Sequence, residues 1–323
     1  MARRPVRHVP KDSSRRRVWI YAAVTAFLLF DVVLIAFALG TSKTDTDATP
    51  LAVPTPLAAV TSTPSATPTP DAAAAEASTI VAAPVTRLIS AVDDTTAWRA
   101  ATGICPAAAA SPEVTTDSGA TWTTTNATRP TDVTSVQTLS AQSESVLGFV
   151  GLDIAECAPE FVKTFVAGDN FRAYPEQLDD EWFINPANRA VVHSPEGDQT
   201  APCASVLTVA PSSATEAVVL CPSNELYVTT DSAATWSLAV ALPGVVNVAS
   251  SDAGYVAAVA GSADCGGVQV VTLTPELAPT VTGCLPVAGD LAGNVALSSN
   301  GGTLWLWAGD TIARSTTAGA AWL

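Results

Sequence analysis

Histidine is nearly missing from this sequence: His8 and His193 are its two in 323 residues. No cysteines stand in a C-x-x-C arrangement, and no serine sits in a G-x-S-x-G frame. These absences argue against a nitrogen and sulfur metal site, so no metal or cofactor is expected. They also remove the nucleophile elbow of the α/β-hydrolases. Positive charge is scarce too. Seven of the fifteen Lys and Arg residues fall before Val18, so from Thr41 onward eight cations stand against twenty-eight carboxylates. Such a surface repels phosphate backbones, which argues against a nucleic-acid partner. No amphipathic helical period of three turns occurs after Gly40.

One long apolar run is present, Val18 to Gly40, VWIYAAVTAFLLFDVVLIAFALG. At about 1.5 Å per residue it is long enough for a hydrocarbon core of about 30 Å, and the basic residues before it place residues 1–17 in the cytoplasm. The expected organisation is a basic tail (1–17), a transmembrane helix (18–40), a stalk (41–85) and an extracytoplasmic domain (86–323) at the cell membrane. A cleaved signal peptide is the rival reading, because Ala36-Phe37-Ala38 has the A-x-A arrangement. The run exceeds the usual h-region of about 7–15 residues, which favours an uncleaved signal-anchor. Asp31 interrupts it, at a cost of about 3 kcal/mol unless neutralised.

The segment from Thr41 to about Pro84 is dominated by Thr, Pro, Ala and Ser, and its prolines break any period. Proline holds such a chain extended, at about 3.1 Å per residue. From near Val85 the texture changes to short β-rich runs such as VLGFVGL, EAVVLC and TLWLWA, separated by Gly, Pro, Asn, Asp and Ser clusters. This is the pattern of an all-β domain whose strands are covered on both faces.

Two octapeptides repeat with seven identities, TTDSGATW at Thr115 and TTDSAATW at Thr229. The frame recurs as STTAGAAW at Ser315 and more weakly as AGDNFRAY at Ala167 and TPELAPTV at Thr274. These motifs resemble the Asp-box of the bacterial neuraminidase-repeat (BNR) propellers. In that family the box lies on the turn between a blade's third and fourth strands, away from the ligand site. The resemblance therefore implies structural roles for Asp117, Gly119, Trp122, Asp169, Tyr174, Asp231, Trp236, Gly319 and Trp322. The spacing implies about five four-stranded blades, or six if the stretch between Tyr174 and Ala201 holds a degenerate one. A β-sandwich is the other fold this strand pattern allows. Thr86 to Val92 is expected to close the ring by completing the last blade. Together with the disulfides, the Ala/Thr/Pro-rich composition resembles that of actinobacterial surface proteins.

All six cysteines fall in the expected outer domain, which suits three disulfides. Cys203 and Cys221 flank two strands about a Pro-Ser-Ser turn and should face each other. Cys265 and Cys284 bracket the degenerate box at Thr274, and Cys105 and Cys157 pair by elimination.

The ectodomain lacks the three-arginine site of a sialidase, and its catalytic residues, if any, are unassigned. The densest polar cluster, Asp179-Asp180-Glu181-Trp182, is the candidate binding site, with carboxylates for a cation or sugar and Trp182 as a stacking platform. Its competing reading is a solvated acidic loop. His193, and the pair Trp305 and Trp307, read as an ordinary loop histidine and core packing. The favoured function is non-enzymatic binding or scaffolding of an envelope protein or glycan. A glycan hydrolase or lyase with axial carboxylates is the alternative. If residues 18–40 are an uncleaved anchor, N-terminal sequencing should find Met1 or Ala2, and the protein should stay with membranes after carbonate washing. A mature N-terminus at Leu39 would overturn the anchor.

Overall fold

The computed structural model describes residues 80–323. The expected tail, transmembrane helix and most of the stalk lie outside these residues. Among the described residues no helix is long and apolar enough to cross a membrane.

The described chain is a β-propeller of six antiparallel sheets taken in chain order. Blade 1 comprises β1 (Arg87–Ala91), β2 (Ala97–Ala101), β3 (Glu113–Thr115) and β4 (Thr123–Thr124). Blade 2 has a first strand broken into β5 (Val133–Thr134) and β6 (Ser140–Ala141), then β7 (Leu147–Asp153), β8 (Pro159–Thr164) and β9 (Arg172–Ala173). Blade 3 has three strands, β10 (Phe183–Ile184), β11 (Val191–Ser194) and β12 (Gly197–Thr200). Blade 4 runs through β13 (Thr208–Pro211), β14 (Ala217–Cys221), β15 (Glu225–Thr229) and β16 (Val240–Ala241). Blade 5 runs through β17 (Val245–Ser251), β18 (Gly254–Ala260), β19 (Gly267–Leu273) and β20 (Pro279–Pro286). Blade 6 contains β21 (Val295–Asn300), β22 (Thr303–Ala308) and β23 (Thr311–Ser315). The count is thus six rather than five, and the extra blade is the degenerate one between Tyr174 and Ala201.

The apolar runs follow from blade packing. Strands such as β14 are buried at every position because each sheet is covered on both faces by its neighbours. The six core clusters correspond to the six seams. Trp98 and Val114 meet Leu147 and Phe149 between blades 1 and 2, and Val218 and Leu220 meet Val248 and Tyr255 between blades 4 and 5. Ile89, Ala91 and Ala97 meet Ala296 and Trp305 between blades 6 and 1.

That last seam closes the ring, and it does so differently from the expectation. Thr86 to Val92 does not complete blade 6; β1 pairs with β2 in full register from Arg87↔Ala101 to Ala91↔Ala97. The local turn decides this. Asp93 accepts hydrogen bonds from Thr95 N and Oγ1 and from Thr96 N, which folds the strand back into a hairpin. Closure comes from one backbone bond, Thr86 N to Gly293 O, and from side chains. Trp305 Nε1 donates to Asp93 O at 2.8 Å, Ala91 N to Ser298 Oγ at 3.0 Å, and Asn300 Nδ2 to Val92 O at 2.9 Å. Trp122 meets Trp305 edge-to-face, and the Arg99 guanidinium lies over Trp122 at 4.1 Å. An internal seam uses the same clasp, for Trp98 Nε1 donates to Ser143 O in blade 2 at 3.1 Å.

The two strong octapeptides hold the β3–β4 and β15–β16 turns. In the first, Asp117 accepts from Thr115 Oγ1, Thr121 N and Thr121 Oγ1, while Gly119 N donates to Thr115 Oγ1. Asp231 makes the same set with Thr229 and Thr235. Gly119 has φ +86, and an added Cβ would stand 3.2 Å from the Trp305 ring. Its counterpart Ala233 also has a positive φ, +67, and is buried in the cluster that holds Trp182 and Trp236. At Ser315 the pattern survives without an acid: Ala321 N donates to Thr317 Oγ1 and Gly319 N to Ser315 Oγ. Trp236 and Trp322 are half-buried at their seams and donate to Thr200 O and Cys284 O.

The weak box of blade 2 is shifted by three residues from its expected frame. Gly168 N donates to Thr164 Oγ1, so Val166 takes the acidic position and Phe171 the aromatic one. Asp169 and Tyr174 are therefore not box residues. In blade 5, Ala278 N donates to Thr274 Oγ1 in the expected frame, but Glu276 makes no side-chain hydrogen bond and Val281 is exposed.

If the closing clasp equals an internal one, Trp305→Phe and Trp98→Phe should cost the same, about 2–4 kcal/mol each, because both rings are fully buried and the loss combines a hydrogen bond with a cavity. Denaturant midpoints should fall together with m unchanged. A Trp305→Phe protein that self-associates while Trp98→Phe does not would mark the closing seam as the weak joint.

Candidate functional site

The two ends of the ring are chemically distinct. Ser118 N donates to Thr95 O, Ala167 N to Ser145 O, and Ser232 N to Thr215 O. These bonds place the octapeptide turns beside the turns between first and second strands, at what is here called the turn end. The disulfides gather at the other end. Cys105–Cys157 joins the loops after β2 and β7, Cys203–Cys221 ties the approach to β13 to the end of β14, and Cys265–Cys284 ties the loop after β18 to β20. These are the three pairs expected from the sequence.

An axial channel of about 640 Å³ runs between the ends. Its wall is built from β1, β13, β17, β21, β6 with the residues before it, and Asp180, Glu181, Trp182, Ile184 and Arg189 of blade 3. Residues 80–85, assigned to the stalk by composition, approach β1 across the disulfide end. Ala82 is buried among blades 4 and 5, and Thr86 N donates to Gly293 O at 2.8 Å.

The sequence cluster at 179–182 is divided by this architecture. Pro175–Asp180 forms a 3-10 turn, with Asp179 exposed at its end. Asp180 and Glu181 lie on the channel wall near the turn end. Trp182 is not an exposed stacking platform: it is 6% exposed, packs with Val192 and Val219, and donates to Ser213 O. The second-strand position of blade 3 requires an apolar side chain against blade 4, and Trp182 supplies it.

Glu181 holds its proton above the usual glutamate range, chiefly because burial penalises the anion; Lys163 opposes the shift and Asp180 adds to it. Arg189, near the disulfide end, was not singled out by its sequence context. Its Nε and Nη2 both donate to Val206 O, at 2.9 and 2.5 Å, and Nη2 also to Leu207 O at 3.2 Å, while no carboxylate pairs with it among the described residues. Burial lowers its pKa from the usual arginine value. Thr208, on β13 beside it in the wall, has a buried hydroxyl with no hydrogen-bond partner among the described residues. His193 stacks on Phe183 at 4.4 Å and pairs through Nδ1 with Asp198. It belongs to the interior of blade 3 rather than to the channel. Trp305 is fully buried, and Trp307 packs at the closing seam beneath Arg87.

No family model matches the chain, and no curated protein matches it. Several solved structures do. YCF48 bound to D1 peptide is 20% identical, covers 76% of this chain and 70% of its own, and has a TM-score of 0.28. YCF48 from Cyanidioschyzon merolae is 14% identical over 75% of this chain and 86% of its own, with a TM-score of 0.28. PorZ, a surface component of the type-IX secretion system of Porphyromonas gingivalis, is 15% identical over 72% of this chain, with a TM-score of 0.37. The match spans about a third of PorZ, 32% of that chain.

The Glu181 shift fixes a pH signature. The unfolded carboxyl ionises at the ordinary glutamate value, whereas the folded one stays protonated to higher pH. The folded state then binds more protons across that window, so stability falls as pH rises through it. Glu181→Gln removes the loss. Its Tm should exceed wild type at about pH 7 and approach it at about pH 3.5, below the ordinary value. An equal difference at both pH values would show that Glu181 is not held protonated.

Proposed function

We propose that this propeller is a binding module whose site is the axial channel, displayed outside a membrane by residues 18–40 and the stalk 41–85. Its target on this reading is a protein or glycan of the cell envelope. Kinship with the Asp-box propellers and a bacterial, actinobacterial source belong to the same reading. The supporting observation is the channel itself: about 640 Å³, within the range of small-ligand sites, with uncommitted polar groups on its wall. A glycosidase needs two carboxyl groups flanking one bond, about 5 to 10 Å apart. Asp180 and Glu181 are the carboxylates that line this channel, and they are neighbours in the chain rather than opposed. Glu181 keeps the hydrolase or lyase reading as the alternative, because a carboxyl held protonated is the form a general acid requires.

One experiment separates the two. The full chain in detergent is titrated with soluble envelope glycan fragments and peptides, and products are sought by chromatography. The channel variant Ser299→Trp serves as control, since Ser299 lines the channel and makes no side-chain hydrogen bond. The binding reading expects saturable binding that Ser299→Trp weakens about tenfold or more, with no product. Turnover that disappears in Glu181→Gln would favour the hydrolase instead.

A further inference from the structure

Among the described residues blade 3 has no inner strand. Its Ser194–Gly197 turn lies at the turn end, because Ser194 Oγ donates to Ser232 O of the neighbouring octapeptide turn at 2.8 Å. Strands β10, β11 and β12 are therefore the second, third and fourth of the blade. The residues before β10 form the 3-10 turn, whose Leu178 packs with Val150, Phe161 and Phe183 between blades 2 and 3. That turn does not pair with β10.

The register shows which backbone groups are left free. Asn185 N donates to Val191 O, and the ladder continues as Ile184↔Val192 and Phe183↔His193. In an antiparallel ladder alternate residues point their N–H and C=O to opposite sides. Phe183 and Asn185 thus face β11, while Trp182 and Ile184 turn theirs toward the channel. In blade 1 the corresponding edge of β2 is filled by β1. Among the described residues no backbone or side-chain partner meets the Ile184 amide or carbonyl, and both Trp182 and Ile184 lie on the channel wall. Arg189 stands at one end of this edge without a carboxylate, Thr208 beside it has its unpartnered hydroxyl, and Asp180 and Glu181 stand at the other end.

We propose that blade 3 is completed by an extended peptide segment of a partner protein, which pairs with the free edge of β10 inside the channel and places a carboxylate on Arg189. This rests on the channel-binding reading above and names its ligand class. A free strand edge selects an extended main chain, because only that presents N–H and C=O groups at the ladder's spacing. Nη1 is the part of the guanidinium that no carbonyl or carboxylate meets among the described residues, and it selects an anionic acceptor oxygen. The carboxylate comes from an acidic side chain or from a chain terminus. The unbroken inner strands β1, β13, β17 and β21 are four to seven residues long. A hexapeptide, about 20 Å when extended, fits that depth.

The test is a synthetic library of N-acetylated hexapeptides with free C-termini, with and without Asp or Glu, titrated against the full chain in detergent. Three readouts follow on the tightest binders. Single N-methylation along the peptide should abolish binding at alternate positions only, and the Ile184 amide should gain hydrogen-exchange protection on binding. Arg189→Gln should weaken binding about tenfold or more, as loss of a charge-assisted bond does. C-terminal amidation and Asp/Glu→Asn/Gln peptides show which carboxylate is used, since only one should match the Arg189→Gln loss. A flat N-methyl scan with unchanged Ile184 exchange overturns the strand pairing. If Ser299→Trp still blocks those peptides, the channel reading survives that failure. Peptide binding that Ser299→Trp leaves intact removes both. No peptide binding, with glycan fragments bound, overturns the peptide class alone.

Discussion

Each blade of this protein is a small sheet that must be covered on both faces, and that requirement governs the rest of the structure. Strands such as β7 and β14 have no polar face to offer water, so a row of blades would leave two apolar faces bare at its ends. The chain resolves this by bending the row into a ring in which the sixth blade covers the first. An interlocking strand is unnecessary because the closing seam is built like an internal one. Trp305 reaches the turn of the next blade as Trp98 does, and the arginines of blade 1 lie over the tryptophans beside them. Cation–π contacts of this kind contribute about 0.5–2 kcal/mol each.

Ring closure leaves an axis, and the two ends of that axis are held by different chemistry. At the turn end, carboxylates and hydroxyls gather backbone N–H groups into tight loops. At the disulfide end, where loops are longer and connections cross between blades, three covalent bonds take over. Short turns are specified by local hydrogen bonds, whereas long loops gain most from a covalent tie that limits the unfolded chain. The channel wall between them is therefore braced from both sides.

Much of this was legible in the sequence, and the failures have physical causes. The octapeptides were readable because an Asp with two Thr neighbours is a complete hydrogen-bonding unit within eight residues. The disulfides were readable because their partners flank single hairpins or fall by elimination. In blade 2 the frame was misplaced because Asp169 and Tyr174 imitate the motif three residues late. The turn is held instead by Thr164 and by left-handed conformations at Ala167 and Gly168, and these need no acid. The role of β1 was misassigned because a strand's partner is chosen by its nearest turn, and Asp93 makes that turn locally. Trp182 was read beside acidic neighbours, yet the alternation of β10 sends it inward. Arg189 escaped notice because its isolation from carboxylates exists only in three dimensions.

The irregular blade is where the ring's logic is broken, and the break is confined to a protected place. An unpaired strand edge on an outer surface invites edge-to-edge association. The free edge of β10 faces the axis instead, where another folded sheet cannot reach it and a single extended chain can. The neighbouring seams do not depend on the missing strand, since Phe183 packs with blade 2 and Trp182 with blade 4. Blade 3 can therefore keep both faces covered while its inner position stays open. In a fold whose stability comes from covered faces, an inner strand can be omitted from one blade without loosening the ring. The hydrogen-bonding groups of Trp182 and Ile184 then remain on the channel wall, between the Arg189 guanidinium and the carboxylates of Asp180 and Glu181.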